Sequence, residues 1–89
     1  SMSKKITLKS GKKATLIDMS VDTFDACMDA VQMEQKGDEV VIKNQFSLST
    51  LWIRNGSKEG KDDKFIKSLA IEERTELQIA IQEYNGLGE

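Results

Sequence analysis

The stretch from Asp62 to Gly88, DDKFIKSLAIEERTELQIAIQEYNGLG, decides how this chain folds. Leu77, Ala80, Ile81 and Tyr84 follow the i, i+3, i+4, i+7 spacing that lines one face of an α-helix. Projected at about 100° per residue, Phe65, Ile66, Leu69 and Ala70 fall on that same face, which would allow one long amphipathic helix. Glu73 opposes this, because it would place an unpaired carboxylate in the middle of the apolar stripe, with Ile71 turned to water. The sequence therefore predicts a break near Ala70 and Ile71. A short helix would run from Asp63 to Leu69 and a longer one from Glu72 to Asn85, together filling the C-terminal region 63–86. Glu72, Glu73 and Glu76 would then meet the positive end of the second helix's dipole, and Asn85-Gly86 would stop it.

Upstream, Ser57 to Lys64 reads SKEGKDDK. With a glycine and no apolar residue, residues 57–62 are expected to form a mobile surface loop, and Asp62 or Asp63 to cap the helix that follows. In 38–56 two patterns compete. Val40, Val41 and Ile42 are β-branched and read as a short strand. Phe46, Leu48, Thr50 and Trp52 alternate like a strand, while Leu48, Leu51 and Trp52 fit a helix capped by Ser47 and stopped at Asn55-Gly56. Of these the pattern favours the helix. A continuous helix from Val40 to Asn55 would carry two apolar faces, one of them available to a partner.

Ser20 is a good N-cap, with Asp22 in the first turn and Met19 and Phe24 placed as a hydrophobic staple. Val21, Phe24, Cys27, Met28 and Val31 form a stripe, and Gly37 fits a C′ position, so a helix over 20–36 is predicted. At 4–17, Ile6 and Leu8, then Ala14 and Leu16, alternate with polar residues around Ser10-Gly11, the pattern of a β-hairpin. These four share a face only if the loop has an odd number of residues, and a three-residue loop with Gly11 left-handed satisfies this. Its five lysines are expected mostly on the solvated face and edges. The fold class expected is α+β, a single domain over 1–89 with an N-terminal β-hairpin packed on a small bundle of three to four helices.

The 89 residues carry 13 Lys and Arg against 15 Asp and Glu, a net charge of −2, which argues against a general nucleic-acid or membrane binder. Charge is segregated all the same: 1–17 carries +5 and 18–39 carries −6. The lysine hairpin has no aromatic residue for base stacking. Histidine is absent, and the scattered carboxylates do not converge as metal ligands must, so no metal and no cofactor is expected. Cys27, on an apolar stripe with no histidine to activate it, reads as a small core residue. A single cysteine, and no apolar run long enough to span a bilayer, point to a cytoplasmic protein. Ser1, preceding Met2, is set aside as a vector-derived residue. No nucleophile, base and oxyanion donor can be assembled, so no catalytic residue is assigned and an enzyme is not expected.

ITLKSGKKATLIDMSVDTFDACMDA at the start and FIKSLAIEERTELQIAIQEYNGLG at the end together resemble the small tail assembly chaperones of long-tailed bacteriophages. These open with a "hydrophobic-Thr-Leu-x-x-Gly-Lys" hairpin and end in helices with an acidic-Arg-x-x-Leu segment, here Glu73-Arg74-Thr75-Glu76-Leu77. The resemblance covers about half the chain, and the middle segment with Phe46 and Trp52 matches nothing in it. It implies a non-enzymatic cytoplasmic factor that coats a tape-measure protein and brings it to the tail-tube subunit. Such a chaperone needs an apolar groove or helix face bordered by charge. Phe46, Trp52, Ile53, Ile71 and Ile79 are the candidate partner-binding residues, with Glu73 and Arg74 orienting the partner by ion pairing or capping. The alternatives are a small acidic regulator binding a basic host protein through the carboxylates of 18–39, and a minor virion component that self-associates into homo-oligomers.

Overall fold

The computed structural model describes residues 2–87, and Ser1 lies outside them. Among the described residues the architecture is α+β, two separate β-hairpins and four α-helices. Strands β1 (Ser3–Thr7) and β2 (Lys13–Ile17) pair antiparallel, with Ile6 opposite Ala14 and Lys4 opposite Leu16. Leu8 N–H donates to Lys12 C=O at 2.7 Å, leaving a three-residue loop, Lys9-Ser10-Gly11, in which Gly11 has φ 96°. The inner face carries Ile6, Leu8, Ala14 and Leu16, the last three buried. Parity and one glycine were enough to set this register.

Helix α1 (Val21–Asp29) starts as expected, Ser20 Oγ accepting from Thr23 N–H at 3.2 Å, but it ends seven residues short of the predicted 36. Met33–Lys36 is instead strand β3, paired with β4 (Glu39–Ile42) through a two-residue Gly37-Asp38 turn. Gly37 has φ 61° and, among the described residues, no non-glycine residue has positive φ, the pattern of a type II′ hairpin turn. Val40 to Ile42 needed a strand beside it, and a glycine read as a helix stop serves as the hairpin turn that supplies one. Asn44 secures the change. Its side-chain Oδ1 accepts from Gln32 N–H and its Nδ2 donates to Ala30 C=O, both at 2.9 Å, which ties the end of α1 to the base of the second hairpin.

Helix α2 (Gln45–Gly56) resolves the middle segment as helix, with Asn44 rather than Ser47 at the N-cap. Ser47 lies three residues inside, its hydroxyl donating to Asn44 C=O. Residues 57–62 are not the free loop expected. Ser57 and Gly60 are buried, Glu59–Lys61 is a 3-10 turn, and the segment is stitched to β2. Lys58 N–H donates to Thr15 C=O at 2.9 Å, while Glu59 accepts from Thr15 N–H at 2.7 Å and from its hydroxyl at 2.8 Å. The anchoring groups are backbone amides, a hydroxyl and a carboxylate, so a polar sequence concealed a fixed segment.

Helices α3 (Asp63–Lys67) and α4 (Ile71–Tyr84) are separated at the predicted place, and Asp62 caps α3 by accepting from Lys64 N–H. At the far end of α4, Leu87 N–H donates to Gln82 C=O and Gly86 N–H to Glu83 C=O, a Schellman motif with Gly86 at φ 96°. One core joins Leu8, Ala14 and Leu16 of the first hairpin to Cys27, Leu48, Trp52, Ile53, Ile66, Leu69, Leu77 and Ile81. Phe24 meets Trp52 edge-on, ring centroids 5.5 Å apart. Within this core Ser49 Oγ donates to Gln78 Oε1 at 2.7 Å, joining α2 to α4. Among the described residues no helix is long and apolar enough to cross a membrane.

Candidate functional site

Helix α4 begins without a side-chain cap of the usual kind, because its N-cap, Ala70, has no side-chain oxygen to offer. Glu73 compensates by reaching back to accept from Ala70 N–H at 2.7 Å, the carboxylate half of a capping box. The same carboxylate accepts from Ser10 Oγ at 2.5 Å and pairs with Lys12 Nζ at 3.4 Å. One turn on, Glu76 accepts from Lys9 N–H at 3.2 Å. Lys12 Nζ also donates to Ser68 C=O at the end of α3. The turn of the first hairpin is thus clasped by two acids of α4 and bridges the gap between α3 and α4. Glu73 is held on the ionised side: the Ser10 hydroxyl and then the Ala70 N–H lower its pKa against the opposing effect of burial, with Lys12 assisting.

This clasp builds one wall of an open groove of about 1080 Å³. Lys9, Ser10 and Lys12 stand on one side, and Ile71, Thr75 and Ile79, at i, i+4 and i+8 on α4, run along the other. Ile71 is 61% exposed and Ile79 48%. Glu72, Glu76 and Glu83 border the same groove. The arrangement offers a largely apolar strip of about two helical turns, edged by both signs of charge, which suits an amphipathic segment better than a compact polar ligand.

Of the residues singled out from the sequence, Ile71, Ile79 and Glu73 meet in this groove. Phe46 is 61% exposed at the start of α2, outside the groove lining. Trp52 and Ile53 are buried, at 1% and 0% exposure, and belong to the core because α2 turns its apolar stripe inward. Arg74 is committed elsewhere: its guanidinium donates to Ile66 C=O at 3.2 Å and to Thr50 Oγ1 at 3.4 Å, holding α3 and α2. Glu73 caps, but it caps its own helix. Lys9, Ser10 and Lys12, which form the facing wall, are not marked by any local pattern; the available signal is Glu73 and Glu76 at i, i+3, which places two acids on one helix face in need of donors.

Cys27 is buried, and burial pushes its thiol pKa up, so the thiol stays protonated and unreactive. Among the described residues no three His, Cys, Asp or Glu side chains gather closely enough to hold a metal ion. No protein-family model, no curated protein and no solved structure matches this chain.

Proposed function

We propose that this chain is a non-enzymatic binding module that seats an apolar helical segment of a partner protein along α4, in the manner of a phage tail assembly chaperone receiving its tape-measure protein. The observation that carries the reading is the strip Ile71, Thr75, Ile79, left uncovered on the longest helix while the neighbouring acids Glu73 and Glu76 are engaged with the first hairpin. A partner helix would lay its own apolar stripe on the two isoleucines. Lysine or arginine on its flank would face Glu72 and Glu83, and acids on the opposite flank would face Lys9.

The test is a pull-down with this chain as bait, at low and high salt, from cells producing the neighbouring genes. A long helical protein captured at both salt concentrations by the parent chain, and lost when Ile71→Ser and Ile79→Ser are combined, supports the reading. Both side chains are exposed, so the double variant should melt within a few degrees of the parent.

A second reading follows from α1, where Asp22, Asp25 and Asp29 are all exposed and none takes part in an ion pair among the described residues. An acidic regulator would capture a basic host protein through them. That capture would fall away at high salt and survive the isoleucine substitutions.

A further inference from the structure

The two hairpins treat their edges differently. In the first, β2's outer edge is covered by Ser57, which bridges to Leu16, and by Lys58 and Glu59, while β1 carries Lys4 and Lys5 on the other edge. These are ordinary protections against strand addition. In the second, among the described residues, the sheet consists of β3 and β4, so β4 has a strand on one side alone. Its sequence with the next residue, Glu39-Val40-Val41-Ile42-Lys43, has β-branched residues at its centre and no proline or central charge.

The direction of β4's backbone groups follows from its ladder. Lys43 N–H donates to Gln32 C=O at 2.7 Å, so Lys43 faces β3. By alternation Val41 and Glu39 do the same, and the N–H and C=O of Val40 and Ile42 point to the open edge. Side chains alternate the other way: Met33, Val40 and Ile42 share one face of the hairpin, exposed by 56%, 60% and 42%. That face continues into a shallow apolar concavity formed by Ile42 with Met28, Val31 and Leu87.

The five-residue segment is complementary to itself when run antiparallel. Turned about a two-fold axis at Val41, Val40 falls opposite Ile42 of a second copy, Val41 opposite Val41, and Glu39 opposite Lys43. We infer that this protein forms a two-fold dimer by pairing β4 with β4 of a second copy in this register, giving a four-stranded sheet of order β3-β4-β4-β3. In it the outward groups of Val40 and Ile42 meet as hydrogen-bonded pairs, four bonds in all. Glu39 and Lys43 fall in a non-hydrogen-bonded pair, where side chains approach most closely. Register is fixed by charge, since a two-residue slip sets Glu39 against Val41 and leaves Lys43 unpaired. The bases of the two hairpins lie at opposite ends of the shared sheet, so the two helical bodies are kept apart. Such a dimer is of the small, reversible kind, and it leaves the α4 groove of each copy open.

Sedimentation velocity over a rising concentration series tests this. The parent chain should move toward twice the protomer mass, and Glu39→Lys or Lys43→Glu alone should weaken the dimer by more than about tenfold, because each sets like charges opposite one another twice. Mixing the two variants should restore it, since every cross-strand pair in the mixed dimer is again opposite in sign. Val41→Cys should cross-link to itself on mild oxidation, and it reports the register independently of the charge variants. A parent chain that stays monomeric throughout the series overturns the inference, as does a dimer indifferent to both single substitutions.

Discussion

Glu73 is the residue on which the most distant parts of the chain converge. Its folded pKa lies below its ordinary value of 4.5, chiefly through the Ser10 hydroxyl and the Ala70 N–H. The folded carboxylate therefore stays charged at acidities where the unfolded one has taken up a proton. Its contribution to stability is full above pH 4.5 and is lost as pH falls from there through the folded value. Glu73→Gln should melt below the parent at neutral pH, and its melting temperature should decline less steeply on acidification, as thermal melts across the acid range would register. Gly60 is as sensitive for a steric reason. A Cβ there would lie 1.9 Å from the backbone oxygen of Ile53, whereas one at Gly56 would lie 2.2 Å from the Cγ2 of Ile81, a side-chain atom rather than backbone. Gly56→Ala should cost about 1–3 kcal/mol and Gly60→Ala more, measured as successive drops in the denaturant midpoint.

Among the elements, the second hairpin depends most on a single side chain. Asn44→Ala removes both hydrogen bonds at its base and should expose β3 and β4 amides to hydrogen exchange before the core opens, with a global loss of about 1–3 kcal/mol. Ser49→Ala would act on the core instead, stranding the buried Gln78 Oε1 and lowering the stability of the whole domain by a similar amount. The first hairpin and the break before α4 were legible from the sequence because each rested on a local contradiction with one solution: the parity of Ile6, Leu8, Ala14 and Leu16, and a carboxylate in an apolar stripe. The second hairpin was not, because Val31 extends α1's apolar stripe past its true end and Gly37 suits a helix end as well as a turn. Residues 57–62 were illegible for another reason: their partners are backbone groups of β2, which no residue pattern announces. Of the candidate site, the exposed isoleucines could be read from their place off the main stripe. The hairpin wall facing them could not, since it forms only through tertiary contact.

For the molecule as a whole, charge is organised differently from its order along the chain. The basic hairpin does not lean on acidic α1; its only ion pair among the described residues is Lys12 with Glu73. The two others, Arg54 with Asp63 and Lys36 with Glu34, are local and exposed. Surface pairs of this kind contribute little, so the melting temperature should change by only a few degrees between low and high salt, a measurement that separates a domain held by its apolar core from one held by charge. The clasp between the first hairpin and α4 also bears on how the protein is made. Lys9 and its acceptor Glu76 are 67 positions apart, so on the ribosome the hairpin is finished long before the helix that receives it has been synthesised. Until α4 emerges, Leu8, Ala14 and Leu16 lack the part of their core that Leu77 and Ile81 supply, and a two-stranded hairpin is marginal by itself. Closure of the core must then wait for synthesis of α4. A nascent-chain force measurement should show pulling only once residues 73–76 have cleared the exit tunnel, and chains stalled before that point should be ready substrates for proteases and holdase chaperones.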